Sequence, residues 1–199
     1  MRGYKYTGVD AETGYPQFQD VDNDGSITDK DKVNIGSGIP DLTYGLTLTL
    51  GYKGFDFTVF TNGTSGNDIC YAVPRSTRTQ ANTLKYFYDR RWTTVGQSAE
   101  YSGAALHDYD KYVQSSAMVF DGSYFKIKQI QLGYNLPKSL LQKTFVSSLR
   151  LYVSLDDYFL FTKYPGFDPE VSLSGNGLGL DYGQYPTTKR ATFGLNISF

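Results

Sequence analysis

T-K-R-A-T-F-G-L-N-I-S-F, residues 188–199, ends the chain, and its reading decides the fold. From Ala191 onward apolar side chains take the odd positions (Ala191, Phe193, Leu195, Ile197, Phe199), while Thr192, Gly194, Asn196 and Ser198 take the even ones. A strand turns successive side chains to opposite faces, so this segment has one oily face and one hydrophilic face. Two environments use such a strand: a soluble β-sandwich, or a barrel wall with lipid on one side and water on the other. A strand that runs to the terminal carboxylate and ends in phenylalanine favours the membrane wall.

Working back along the chain, the same alternation is clearest over 42–52. There Tyr44, Leu46, Leu48, Leu50 and Tyr52 alternate with Thr43, Gly45, Thr47, Thr49 and Gly51. Its length suits the roughly 9–11 residues that a tilted strand needs to cross the hydrocarbon core. Tyrosine at both ends with leucine between is the arrangement of interfacial aromatic girdles. Lys53-Gly54 then predicts a tight hairpin turn with glycine at positive φ. The returning strand runs from Phe55 to about Asn62, with Phe55, Phe57 and Val59 on one face.

Composition agrees with β-structure. The 199 residues include 18 Tyr, 13 Phe and 21 Gly, which suits strands bounded by aromatic girdles. A net charge of −1 gives no electrostatic footprint for nucleic acid, so no nucleic-acid partner is expected. No apolar run approaches the roughly 20 residues of a membrane helix. The start, M-R-G-Y-K-Y-T-G, has no apolar core of a signal peptide, so an exported protein with this beginning is expected to be a piece of a longer chain. Cys70 is the single cysteine, which rules out an internal disulfide.

A long excursion from Gly63 to about Ala117 follows the hairpin, with a short helix predicted over Asn82–Trp92 and Asn82 as its N-cap. A strand from about Met118 to Tyr134 comes next. Ile130, Leu132 and Tyr134 share a face while Phe125 and Ile127 have the opposite parity, which predicts a bulge or a membrane exit near Lys128-Gln129. A linker, Asn135 to Ser148, carries Pro137 and a single helical turn at 138–141. Leu149, Leu151, Val153 and Leu155 then alternate with Arg150, Tyr152, Ser154 and Asp156. The fold class expected is all-β: an antiparallel transmembrane β-barrel segment of about five strands, incomplete, with long extracellular loops and one short loop helix. Residues 1–41 form an extracellular loop segment, and 42–199 the barrel strands. If the C-terminus is periplasmic, the two short connections lie on the periplasmic side and the long ones outside, as in bacterial outer-membrane barrels. Five strands cannot close, since unpaired N–H and C=O groups in lipid each cost several kcal/mol.

Residues 20–31, D-V-D-N-D-G-S-I-T-D-K-D, fit an EF-hand calcium loop. Asp20, Asp22 and Asp24 supply oxygens at positions 1, 3 and 5, and Gly25 stands where the chain must turn. Ser26 offers its carbonyl at position 7, and Thr28 or a water fills position 9. Asp31 replaces the usual bidentate glutamate at position 12, with a shorter reach. Hard oxygens at this spacing select Ca²⁺. A solvated turn that needs no ion has the same composition. No convincing helix flanks the loop, so a structural brace is expected rather than a sensor that opens.

No catalytic constellation emerges, and the chain is not expected to be an enzyme. His107, the only histidine, stands between loop residues near Asp108 and Asp110 without an activated Ser or Cys motif. Cys70 lies just after Gly66-Asn67-Asp68, and only a bare dyad with His107 is conceivable. Asp156 and Asp157 are adjacent in a strand and should face opposite ways. Arg90-Arg91-Trp92 either anchors the loop helix or stacks on a ligand. Tyr101, Tyr109, Tyr112, Tyr164, Tyr182 and Tyr185 are either sugar-stacking platforms or loop packing. G-N-G-L-G-L at 175–180 lacks the strand-to-helix setting of a nucleotide fingerprint.

Several segments together resemble the C-terminal portion of SusC/RagA-type TonB-linked outer-membrane proteins, whose last strand also ends in an aromatic assembly signal. They are F-Q-D-V-D-N-D-G-S-I-T-D-K-D (18–31), L-T-Y-G-L-T-L-T-L-G-Y-K-G-F-D (42–56), Y-D-R-R-W-T (88–93), D-G-S-Y-F-K-I-K-Q-I-Q-L-G-Y-N-L-P (121–137), L-R-L-Y-V-S-L-D-D-Y-F-L-F-T-K-Y-P-G-F-D-P-E-V (149–171) and Y-P-T-T-K-R-A-T-F-G-L-N-I-S-F (185–199). The resemblance implies a barrel of 22 strands around a plug, of which this chain is about the last fifth. It implies TonB-driven import of glycan fragments or peptides across the outer membrane of a Gram-negative bacterium, with a SusD-like lipoprotein as lid. The oligosaccharide or peptide ligand would meet the outer loops, and lipid the apolar face. The alternative from another class is a soluble, secreted, calcium-stabilised β-sandwich that binds carbohydrate and buries the Leu46/Leu48/Leu50 stripe under a second sheet.

Overall fold

The computed structural model describes residues 1–74, 82–103, 108–170 and 177–199. Four short strands come first: β1 (Arg2–Tyr4), β2 (Tyr6–Val9), β3 (Pro16–Phe18) and β4 (Lys32–Asn34). The hairpin of β5 (Leu42–Tyr52) and β6 (Phe55–Ser65) follows, then β7 (Asp68–Tyr71). Helices α1 (Lys85–Arg90) and α2 (Tyr109–Val113) precede β8 (Val119–Asp121) and β9 (Tyr124–Asn135). The turn helix α3 (Lys138–Leu141) leads to β10 (Ser148–Thr162), and β11 (Leu180–Asp181) and β12 (Arg190–Ser198) complete the order.

Two compact units share these elements, each assembled from three stretches. One comprises Met1–Pro40, Gly66–Gly122 and Lys163–Tyr185; the other comprises Asp41–Ser65, Ser123–Thr162 and Pro186–Phe199. The division read from sequence at 41/42 lies beside the first of these boundaries. Two later excursions return the chain to the first unit, because the long connections fold with the N-terminal stretch and not with the strands they join.

The second unit is one antiparallel sheet, in the order β12-β10-β9-β6-β5. Its tightest corner is Lys53-Gly54, where both residues have positive φ (46° and 87°). A two-residue turn of that kind matches the twist of the strands it joins, and glycine adopts it without a Cβ penalty. Pairing in full register then lines up the apolar positions across all five strands. One row runs Leu50, Phe57, Leu132, Val153, Phe193, and the next Tyr52, Phe55, Tyr134, Leu151, Leu195. The opposite face carries Thr49, Thr58, Gln131, Ser154 and Thr192.

Lys128 is the extra residue that the parity change predicts. Phe60 pairs with Gln129 but Thr61 with Ile127, so the register of β6 steps over Lys128. On the other side, Asp156 pairs with Gln129 and Phe159 with Ile127, which leaves Asp157 and Tyr158 opposite Lys128. Asp157 takes a left-handed φ of 58° there. A bulge slips the parity by one, so beyond it Phe125 and Ile127 rejoin the apolar face. They form rows with Tyr44, Gly63 and Phe161, and with Leu46, Thr61 and Phe159. Tyr44 can lie across Gly63 because a Cβ at that position would come within 2.5 Å of its ring. Its ring also stacks with Phe125 at 6.4 Å, and Phe125 meets Phe161 at 6.1 Å. The apolar face is thus banded by Tyr44/Phe125/Phe161 at one end and Tyr52/Phe55/Tyr134 at the other.

Among its described residues the first unit has no long strands and gathers around aromatic rings instead. β1 pairs with β4, β2 with β3, and β7 lies between β11 and β8. Ile69, Tyr71, Phe87, Tyr101, Tyr112, Met118 and Tyr164 form its buried core. Phe87 sits edge-on to Tyr101 at 4.9 Å and meets Tyr71 and Phe120, geometry that adds roughly 0.5–1.5 kcal/mol per pair beyond burial. The Tyr164 hydroxyl donates to buried Asp181.

The helices differ from expectation. The predicted Asn82–Trp92 helix is only Lys85–Arg90, with Leu84 rather than Asn82 at its N-cap and no side-chain cap. A run of Tyr, Phe and Trp has modest helix propensity, and without a cap little favours extending the ends. α2 is a second loop helix where one was expected. No helix among the described residues is long and apolar enough to cross a membrane.

Candidate functional site

The acidic loop builds itself from its own side chains. Asp20 Oδ1 accepts from Asn23 N at 2.7 Å and Oδ2 from Gly25 N at 2.9 Å. Asp22 accepts from Asp24 N, and Asp24 from Ser26 N. These short Asx-type bonds wind the chain and draw Asp20, Asp22 and Asp24 together, with one carboxylate oxygen from each within 4.8 Å of the others. Desolvation pushes the Asp22 carboxyl above its usual range, and the charges of Asp24, Asp31 and Asp20 add to the effect. Like charges so close favour either a proton or a cation. Of the sequence-predicted ligands, these three converge.

Asp31 plays a different part. It is fully buried, and its two oxygens accept from Val21 N and Thr28 N, both at 2.7 Å. Those N–H groups hold its carboxyl below the usual range. Thr28 caps the turn Asp29–Asp31 by accepting from Lys30 N, which completes a capping box with Asp31. Asp31 is therefore the clasp that ties the end of the loop to its beginning. Thr28 spends its hydroxyl on the same clasp.

In the sheet, the polar face carries its own network. Arg150 grips Asp56 with two nitrogens, Nε to Oδ1 at 3.0 Å and Nη2 to Oδ2, and Asn135 donates to the same carboxylate at 3.3 Å. The pair spans β9 at Gly133, where a Cβ would stand 2.5 Å from both partners. Farther along, Gln129 and Ser154 both donate to Asp156, which also holds Arg190. At the bulge, Asp157 faces Lys126 and Lys128 at 3.3 and 3.1 Å. Lys126 is fully buried and also donates to Thr187. Asp156 and Asp157 thus serve different cations; the opposite facing expected from simple alternation does not apply to them, because the bulge interrupts the alternation at this point. Missed from sequence was the pairing of Asp56 with Arg150, whose only sequence signal is a charge of each sign on the polar face of two strands.

The other candidates resolve as structure. Arg90 lies over the Tyr86 ring at 4.1 Å, Arg91 over Tyr88 at 3.7 Å, and Trp92 Nε1 donates to Ala11 O at 3.0 Å. Trp92 also fills the space above Gly14 and Gly103, so the cluster anchors a loop. Tyr101, Tyr112 and Tyr164 belong to the core, whereas Tyr182 and Tyr185 are exposed. Burial pushes the Cys70 thiol up, away from a reactive thiolate. His107 and residues 171–176 lie outside the described residues. Leu46, Leu48 and Leu50 remain 66%, 46% and 54% exposed. A soluble sandwich would have buried this stripe, so that alternative is set aside.

No family model matches the chain. Curated relatives do. It is 34% identical over 99% of its length to TonB-dependent receptor P3 of Formosa agariphila, and 28% identical over 98% to TonB-dependent receptor SusC of Bacteroides thetaiotaomicron. Over nearly its whole length the chain is similar to the C-terminal fifth of TonB-dependent receptors, SusC among them. It spans about a fifth of the length of these relatives, 22% and 19%. The fold agrees: the RagAB peptide transporter structure superposes over the whole chain with a TM-score of 0.71 at 22% identity, covering 23% of that chain. The same importer in its open-open state gives 0.69. TonB-dependent receptors, the relatives named here, are outer-membrane transporters rather than enzymes.

Proposed function

We propose that the chain is the C-terminal portion of the barrel wall of a TonB-dependent importer. Its apolar face meets lipid and its polar face lines the lumen. The observation that carries this reading is the pair of continuous rows, apolar on one face and polar on the other, running unbroken across five strands. β5 and β12 stand at the sheet edges, where each can pair with further strands of a longer receptor. Short connections at Lys53-Gly54 and 136–147 share an end with Phe199, which supports a periplasmic C-terminus and long connections outside. Cargo is a glycan fragment or a peptide, delivered through a SusD-like lipoprotein lid. TonB drives uptake through parts of the receptor beyond this chain.

The face assignment is tested by two single substitutions in the full-length receptor. Leu48→Arg places a charge on the lipid face near the midplane, at a cost of about 2–4 kcal/mol, whereas Thr49→Arg places it in the lumen. Heat-modifiable migration of the outer-membrane receptor should be lost for the first and kept for the second. Equal assembly of both would sink the reading.

We also propose that the acidic loop holds Ca²⁺ as a brace. Asp20, Asp22 and Asp24 supply the carboxylates, the Ser26 carbonyl and a water at position 9 complete the shell, and Asp31 clasps it with Thr28. Calorimetric titration of Ca²⁺ into the folded full-length receptor should lose its heat on combining Asp20→Ala with Asp24→Ala. Unchanged binding refutes the assignment.

A further inference from the structure

The connection between β9 and β10 is longer than a tight turn and unusually apolar at its tip. Leu140 and Phe145 are 67% and 82% exposed. Its own hydrogen bonds also close it. Leu136 N donates to Leu149 O at 2.9 Å and Ser147 N to Ser198 O at 2.8 Å, which ties both ends to the sheet. Within it, the Thr144 hydroxyl donates to Leu141 O at 2.8 Å and accepts from Val146 N at 3.3 Å. So the exposure of Leu140 and Phe145 is held in place by a closed turn.

What covers these side chains follows from their continuity with the apolar face. Phe199 continues the parity of Phe193, Leu195 and Ile197, so it stands on the face that meets lipid. The Phe145 ring stacks on it at 5.6 Å and 15°. This carries the apolar surface past the Tyr52/Phe55/Tyr134 band and beyond the last residue of β12. Charge points the same way. Between Leu136 and Leu149 there are two cations, Lys138 and Lys143, and no carboxylate, and both lysines are exposed. Apolar tips with flanking lysines are the composition of a segment seated at an anionic headgroup layer.

We propose that residues 136–147 together with Phe199 form an interfacial foot. Leu140 and Phe145 enter the phospholipid leaflet at the edge of the lipid-facing band, and Lys138 and Lys143 rest on anionic headgroups. The foot rests on the barrel reading above, and the experiment separates the two. The full-length receptor, with Cys70→Ser and any other native cysteines replaced, carries Phe145→Cys labelled with a polarity-sensitive fluorophore. Leu140→Cys serves as a second position, and Leu48→Cys as a marker of the lipid face. Each is placed in bilayers containing nitroxide lipids with the quencher near the headgroup or near the chain end.

The labels at 145 and 140 should be quenched by the headgroup-proximal nitroxide and blue-shifted more in phosphatidylglycerol than in phosphatidylcholine. Lys138→Glu with Lys143→Glu should abolish the difference between the two lipids. The Leu48→Cys label should be quenched by the chain-end nitroxide. Quenching at 48 with water-like emission at 140 and 145 overturns the foot and leaves the barrel intact. Emission at 140 and 145 that is blue-shifted but unaffected by either nitroxide assigns the surface to another protein segment and also overturns it. No quenching at 48 overturns the barrel reading itself.

Discussion

Asp31 and Asp22 sit in one loop and are pushed in opposite directions. Backbone N–H groups of Thr28 and Val21 hold the Asp31 carboxyl low, so its contribution to loop closure is complete above the ordinary carboxylate range of about 3.9. It is lost only as pH falls through the lowered folded value. Desolvation and three neighbouring carboxylates hold Asp22 high, so it takes up a proton first on acidification. Ca²⁺ binding requires the ionised form. Titrations repeated at falling pH should therefore lose Ca²⁺ binding before the loop loses its resistance to limited proteolysis. Loss of both at one pH would show that clasp and cation site are not separate. The motif itself was plain from residue spacing. The division of labour was not, because spacing does not say whether a carboxylate faces an ion or a backbone N–H.

Among the elements, β9 shows what one residue does to a wall. Its sequence has two apolar parities, and only an extra residue at Lys128 puts Phe125 and Ile127 on the face of Ile130 and Leu132. Deleting Lys128 should either turn those two side chains into the lumen or force β9 out of register with β6. Heat-modifiable migration of the full-length receptor should then be lost, whereas Lys128→Ala, which keeps the extra residue, should assemble. Normal assembly of the deletion would mean that the bulge does not set the register. The position of this bulge was legible in sequence because parity is a strict period of two. The matching irregularity at Asp157 and Tyr158 was not, since Leu149–Leu155 had already spent its alternation before reaching them.

For the whole molecule, strands and connections have different logic. The five long strands pair in chain-local and long-range steps, and the chain leaves between β6 and β9 and between β10 and β12 to build the aromatic unit. If the C-terminus is periplasmic, an epitope inserted after Gln97, in an exposed stretch, should be labelled on intact cells of the native host. One appended after Phe199 should be labelled only after permeabilisation. The reverse pattern would invert the orientation and make the 136–147 foot an outer-leaflet feature.

Sequence alone determined the five long strands, their apolar and polar faces and the tight hairpin, because each follows from local periodicity and from the φ that glycine permits. It also placed the three gathered carboxylates, since an Asx-rich turn closes within its own residues. Only the tertiary structure decided that Arg150 reaches Asp56 across Gly133, that Tyr101, Tyr112 and Tyr164 are core rather than platform, and that Phe145 lies on Phe199. Arg150 and Asp56 stand 94 positions apart, and Phe145 and Phe199 stand 54 apart, and no pattern along the chain encodes which distant partner a side chain will meet.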